Sequence, residues 1–250
     1  VTICFRAATL PAIALAISLL SAGGLMGTEF PKPYDADGQV KFLDQLLAEF
    51  SGRIRLLPVD LFEGEIQYRP RAASTDLCDI RSLELGPQSE ASVAEGAVIA
   101  KYAKADASFE RSLFIHTSFN IPGQTLRIMP HNRIQLRGQL LRVSLWIHSK
   151  SYRHSLSLMF VNTDGREVEV PVGQLTWEGW RRIDLRLPRS LYQRGKRLEM
   201  RYLRHFDGFL IRSAQPEEPG NLAIMIDNLL VLSDFGELNY PGIEILDEWN

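Results

Sequence analysis

Two histidines offer the first chemistry in this sequence. His148 and His154 flank Ser149-Lys150-Ser151-Tyr152-Arg153, so a hairpin through that stretch would bring two imidazoles together as metal ligands. Zinc takes three or four protein ligands, no third stands nearby, and Lys150 and Arg153 would repel a cation. The pair therefore reads as exposed polar histidines. Aromatic side chains offer a second chemistry, because Trp146, Tyr152, Trp177 and Trp180 could form a platform of amphipathic rings that stacks on sugars or anchors a protein interface. Trp146 falls opposite the apolar positions of its strand, where an exposed ring would point to binding, whereas Trp177 and Trp180 read as covers for the core edge. With Arg142, His148, Tyr152, Arg182 and Arg186, Trp146 makes up the expected interface. Glu63 and Asp227 sit in otherwise apolar strands, where a carboxylate needs a partner. No enzyme is expected. The sequence has no Gly-rich phosphate loop, nucleophile elbow or zinc-ligand spacing, and Glu167 and Glu169 share one strand face as a solvated pair.

The elements that must position these groups are strands. Leu141, Val143, Leu145 and Ile147 recur at every second residue, the period of a half-buried strand, with Arg142, Ser144, Trp146 and His148 on the other face. Leu156, Leu158 and Phe160 repeat the pattern, and Asn162-Thr163-Asp164-Gly165 supplies a turn. Val168, Val170 and Val172 follow, then Gly173 to Trp180, then Ile183, Leu185 and Leu187 ahead of Pro188. The spacing predicts four consecutive strands in an antiparallel meander.

The rest of the chain adds further strands at high density. After Val1, a stretch with Arg6 as its only charge, an apolar run to Leu20 and small residues at Ser21-Ala22-Gly23-Gly24 has the layout of a secretory signal peptide over 1–27, with cleavage expected between Ala22 and Gly27. Removal of the leader takes Cys4 with it and leaves Cys78 as the one cysteine, read as a small partly buried residue. A linker and a helix are expected over 28–52, the helix capped by Asp37, with Val40, Leu43, Leu46, Leu47 and Phe50 at helical spacing and Gly52 at its end. A β-domain is predicted over 53–234, with strands at 53–63, 80–85, 98–102, 113–119, 125–129, 133–136, 198–202, 209–212 and 224–232. The stretch 68–97 reads mostly as a long loop. The expected architecture is all-β, a two-sheet jelly-roll type sandwich with one short N-terminal helix and an acidic tail over 235–250.

At 250 residues, 45% hydrophobic and 23% charged, the chain can bury a sizeable core, and one principal domain fits. The net charge of −2 conceals an asymmetry: residues 127–212 carry +10, whereas 213–250 carry −8 with no basic residue. Such a split predicts electrostatic self-association. The basic stretch could attract nucleic acid, but an exported protein seldom meets it, so no nucleic-acid partner is expected. No membrane partner is expected once the leader is removed.

Leu145-Trp146-Ile147-His148, the Asp164-Gly165 turn, the run from Gly173 to the Gly179-Trp180 pair before a strand and a proline, and the final strand Ile224 to Leu232 with its Ile226-Asp227-Asn228 resemble one family. It is the spirochaete flagellar-filament outer-layer (sheath) proteins of the FlaA type, and the resemblance runs from about Arg53 to Asp234. It implies a structural protein of the periplasmic flagellar filament that lies around the flagellin core, shapes the filament and serves motility. Its implied partners are flagellin core proteins and other sheath proteins. Sugar-binding jelly rolls share a Trp-rich middle strand and an Ile-Asp-Asn or Ile-Asp-Asp final strand, so a periplasmic carbohydrate-binding module is the alternative. A glycosidase fragment is a weaker third reading. The sugar-binding likeness also implies a structural calcium at Glu63 and Asp227, although two carboxylates fall short of the six or more oxygens that calcium takes and an arginine partner would serve as well. No other cofactor is expected.

Overall fold

Alternating apolar residues build two sheets whose inner faces close on one core. The computed structural model describes residues 35–49, 53–63, 67–71, 78–87, 90–103, 111–120, 122–192, 204–214 and 221–236. The expected leader, most of the linker, Phe50, Gly52, the expected strand at 198–202 and most of the acidic tail lie outside them.

The elements in chain order are α1 (Ala36–Glu49), β1 (Ile54–Asp60), β2 (Tyr68–Pro70), β3 (Cys78–Pro87), α2 (Glu90–Ala103), β4 (Arg111–Phe119), β5 (Thr125–Pro130), β6 (Ile134–Leu136), β7 (Gln139–Lys150), β8 (Ser155–Val161), β9 (Glu167–Gln174), β10 (Glu178–Arg186), a 3-10 turn (Arg189–Tyr192), β11 (Arg204–Arg212) and β12 (Asn221–Asp234). Sheet A runs β10-β7-β12-β4-β3, with β1 pairing the second half of β12 beyond β4. Sheet B runs β2-β5-β11-β8-β9, with β6 pairing the first half of β11. Every pairing among the described residues is antiparallel. The result is a β-sandwich of jelly-roll type. No helix among the described residues is long and apolar enough to cross a membrane.

The four strands from Gln139 to Arg186 do not form a meander. β7 and β10 pair in sheet A, whereas β8 and β9 pair in sheet B, so the segment is one long hairpin bent over the edge of the sandwich. The bend keeps its ladder: Ser151 N–H donates to Trp177 O, Tyr152 N–H to Leu175 O, and Leu175 N–H to His154 O. Period-2 alternation reports which face of a strand is buried but not which sheet the strand joins.

A β-bulge corrects the reading of β7 as well. Between Leu232↔Arg142 and Ser233↔Leu140 the register skips Leu141, so Leu140 enters the inner core and Leu141 packs outside. Inside, Phe206 meets Phe160 and Phe209 edge-on at ring centroid distances of 5.6 and 5.3 Å. Truncating one such ring to alanine is expected to cost about 3–5 kcal/mol.

The outer face of sheet A is covered by helices. Asp35, not Asp37, caps α1 through Gly38 N–H at 2.8 Å, and Leu43 is buried against Ile54, Leu56, Leu230 and Leu232. The second helix, α2, lies where a loop and a strand at 98–102 were expected, with Val98 and Ile99 in the same outer cluster. Tyr102 joins the helices by donating to Asp44 Oδ1 at 2.8 Å.

β11 bulges between Phe206 and Gly208, where φ is +108°. A Cβ on Gly208 would fall 2.0 Å from Ile128 O. Gly208→Ala is therefore expected to lose more than about 2 kcal/mol, read as a lower urea midpoint at unchanged m-value. A shift below about 0.5 kcal/mol would contradict this account.

Candidate interaction faces

On the outer side of sheet A, several family-like residues converge on one buried carboxylate. Asp227 pairs with Trp146 and Leu230 with Ser144, so two residues of β12, Asn228 and Leu229, stand opposite Leu145 alone, and Asn228 takes φ 45°. The bulge presents Asn228 to α2. Glu95 of α2, 1% exposed, accepts from Trp146 Nε1 at 2.7 Å, Arg182 Nε at 2.9 Å and Asn228 Nδ2 at 3.4 Å. Arg182 also meets Asp184 at 3.5 Å, and Asp184 accepts from Arg142 Nε at 2.9 Å.

Trp146 is therefore not the exposed anchor that alternation suggested: it is 4% exposed and lies against α2. Arg142 and Arg182 belong to the same network. Tyr152 serves the bend instead, its hydroxyl accepting from Ala223 N–H at 3.2 Å and its ring stacking on His154 at 5.9 Å. His154 is itself buried, so it is not the exposed polar histidine expected, and its Nδ1 accepts from Ala214 N–H at 3.1 Å. His148 is only half-buried. It stands in a cross-strand row with Trp180, Met225 and Phe114, edge-on to Trp180 at 5.5 Å, and burial followed by Lys150 pushes its pKa down against the opposing pull of Glu178. Arg186 is exposed at the end of β10. Trp177 packs on the core edge as expected and donates to Ile147 O at 3.3 Å. Glu63 accepts from Arg111 N–H at 3.1 Å, whereas Asp227 lies opposite Trp146. Among the described residues no three His, Cys, Asp or Glu side chains cluster around a common point.

The outer side of sheet B holds the residues that sequence reasoning missed. The bulge before Gly208 turns Asp207 outward, where it is 0% exposed between Arg127 Nη2 and Arg133 Nε, the latter at 3.0 Å. Arg127 also donates from Nη1 to both oxygens of Glu167, at 2.8 and 2.9 Å, and Arg71 approaches Glu167 at 3.9 Å. Glu169 accepts from Arg212 Nη2 at 2.6 Å and from Ser157 Oγ at 2.7 Å. Phe206-Asp207-Gly208-Phe209 carried the signal: an Asp-Gly step within an apolar strand marks a bulge.

Both glutamates are held below the usual carboxylate range, Glu167 chiefly by hydrogen bonds from Arg127 and Glu169 chiefly by those from Arg212. A depressed folded pKa gives stability that is present above the unfolded value and is lost as pH falls through the folded one. Melting temperature should therefore fall as the pH drops below about 4.3, and less so in the Glu167→Gln/Glu169→Gln variant. Equal acid sensitivity of variant and parent would refute this assignment.

No curated protein matches the chain significantly. Among solved structures it is similar to a family 11 carbohydrate-binding module from Clostridium thermocellum, solved with a β-1,3-1,4-mixed-linked tetrasaccharide. Identity is 10%, coverage is 72% of this chain and 96% of that one, and the TM-score is 0.40. It is also similar to the K1 cleaved adhesin domain of Lys-gingipain from Porphyromonas gingivalis, with 10% identity, coverage of 72% and 98%, and a TM-score of 0.36. At these scores neither likeness bears on ligand or role. The model of the flagellar filament outer layer protein family, FlaA, matches residues 98–240. That span is more than half of the chain and includes Trp146, Arg182, Asn228 and the Arg127–Asp207 pair. The chain belongs to the flagellar filament outer layer protein family, FlaA.

Proposed function

We propose that this protein is a structural, non-catalytic component of the periplasmic flagellar filament, where it binds around the flagellin core with other sheath proteins and contributes to filament shape and motility. Family membership supplies the filament. The observation that carries the role is the outer face of sheet B, a broad array of arginines and carboxylates. Sugar binding would call for exposed rings, since pyranose faces stack on aromatic side chains. The described outward positions of this sheet, among them Arg69, Arg127, Met129, Ser157, Met159, Glu169, Leu210 and Arg212, include no Trp, Tyr or Phe. Charged, pre-oriented surfaces suit recognition of another protein.

Immunogold labelling of filaments released from the periplasm tests the proposal. Regular decoration along the filament is expected, with altered curvature in filaments from cells lacking the protein. Recovery only in the soluble periplasmic fraction, together with saturable binding on a glycan array, would replace it with the carbohydrate-binding reading.

A further inference from the structure

We propose that the outer face of sheet B docks the acidic segment 237–250 of a second copy of this chain, joining molecules head to tail. The inference rests on the sheath reading and names one of the contacts within the layer.

The face is cationic because arginines outnumber carboxylates. Arg69, Arg71, Arg127, Arg133 and Arg212 stand against Asp207, Glu167 and Glu169. Asp207 is buried, whereas Glu167 and Glu169 are partly exposed beside Arg133, Arg71 and Arg212, which keep 57%, 53% and 41% of their side chains exposed. A guanidinium has five N–H donors, and the bonds to Asp207, Glu167 and Glu169 use only some of them. Buried Asp207 thus holds the Arg133 fork and the two-oxygen contact with Glu169 holds that of Arg212, which reduces the ordering cost of a further contact.

Charge complementarity identifies the occupant. Residues 237–250 contain Glu237, Glu244, Asp247 and Glu248 and neither Lys nor Arg. They follow Gly236, which lies beside Arg53 where β12 pairs with β1 in sheet A. The cationic face belongs to sheet B, whereas the last described residue before the acidic segment ends a strand of sheet A. A contact between two different patches is heterologous, and where its rotation does not close a ring it propagates into an open array, the form that a filament coat requires.

Sedimentation velocity of the full chain tests this. Association is expected at low ionic strength and should weaken by about tenfold or more as salt brings the Debye length from about 10 Å toward 3 Å. Arg71→Glu/Arg133→Glu should abolish it, and both side chains are more than half exposed. Because Arg133→Glu also sets a carboxylate beside buried Asp207, the urea midpoint of the variant and the charge-swap rescue separate lost docking from lost fold. A peptide of residues 237–250 should compete in the parent protein. Adding Glu244→Arg/Glu248→Arg to the arginine variant should restore association. A monomer at low salt, undiminished association of Arg71→Glu/Arg133→Glu, or failure of the charge swap would each overturn the proposal. Co-sedimentation with filaments separates this from the role itself: a chain that is monomeric yet filament-bound defeats the docking contact alone, whereas one that self-associates but leaves filaments bare defeats the sheath reading.

Discussion

Glu95→Ala is expected to lower folding stability by about 3–5 kcal/mol and to loosen α2 from the sandwich. The carboxylate is the shared acceptor for the Trp146 indole N–H, the Arg182 guanidinium and the Asn228 amide, all in a site with little water. Removing it strips three donors of that acceptor at once, among them Arg182, which keeps 16% of its side chain exposed and meets Asp184 at the longer distance of 3.5 Å. Unfolding in urea measures the loss. Amide exchange across 90–103 shows whether the helix is released, because Val98, Ile99, Tyr102 and Ala103 then remain as its described apolar hold on the sheet. Trp146→Ala should be comparably costly, about 3–5 kcal/mol, because the ring is buried. The comparison with Trp146→Phe isolates the indole N–H. If Glu95→Ala cost under about 1 kcal/mol with exchange across 90–103 unchanged, Glu95 would not be what fastens this helix.

Glu95 also shows where the sequence stopped being legible. Strands with clear alternation and flanking turns, such as β4, β5, β8 and β9, lie close to where periodicity puts them. The inner core at Val143, Leu145, Ile147, Leu156, Leu158 and Phe160 follows from the same pattern. Helix α2 was hidden because Glu90 to Ala103 is rich in Ala, contains Gly96 and has few large apolar residues, so no strong stripe at helical spacing emerges. Without that helix, strand alternation alone leaves Trp146 on an open face, whereas the fold encloses it against Glu95. The bulges at Leu141 and Asn228 were illegible for a different reason. Each depends on the strand that lies alongside, and one chain's alternation contains no record of its neighbour's register. What the motifs did convey was a location: Leu145-Trp146-Ile147-His148 and Ile226-Asp227-Asn228 come together in adjacent strands because both serve the Glu95 contact.

Asp207→Ala should cost about 3 kcal/mol or more, and its behaviour in combination separates stability from surface chemistry. The carboxylate is fully buried, and Arg127 beside it keeps only 8% of its side chain exposed, so truncation removes one of the two carboxylates that Arg127 holds in a poorly solvated position. Arg133 is more than half exposed and can turn to water at little cost. Replacing both buried members with apolar side chains is a different experiment. A buried ion pair bears a desolvation penalty that its Coulomb attraction largely offsets, and an apolar pair of similar volume often matches or exceeds it. Asp207→Leu/Arg127→Met is therefore expected to recover most of the stability lost in Asp207→Ala, while Glu167, about half exposed, is rehydrated without difficulty. The rescued variant would still lack the carboxylate that orients Arg133, and its array on sheet B would be broken. Its urea midpoint should lie closer to the parent's than to that of Asp207→Ala, and it should bind filaments more weakly. If it binds them as the parent does, the arginine array is a means of covering sheet B and the filament contact lies elsewhere. If instead the double variant is no more stable than Asp207→Ala, the Arg127–Asp207 pair contributes to the fold in its own right, beyond any part in recognition.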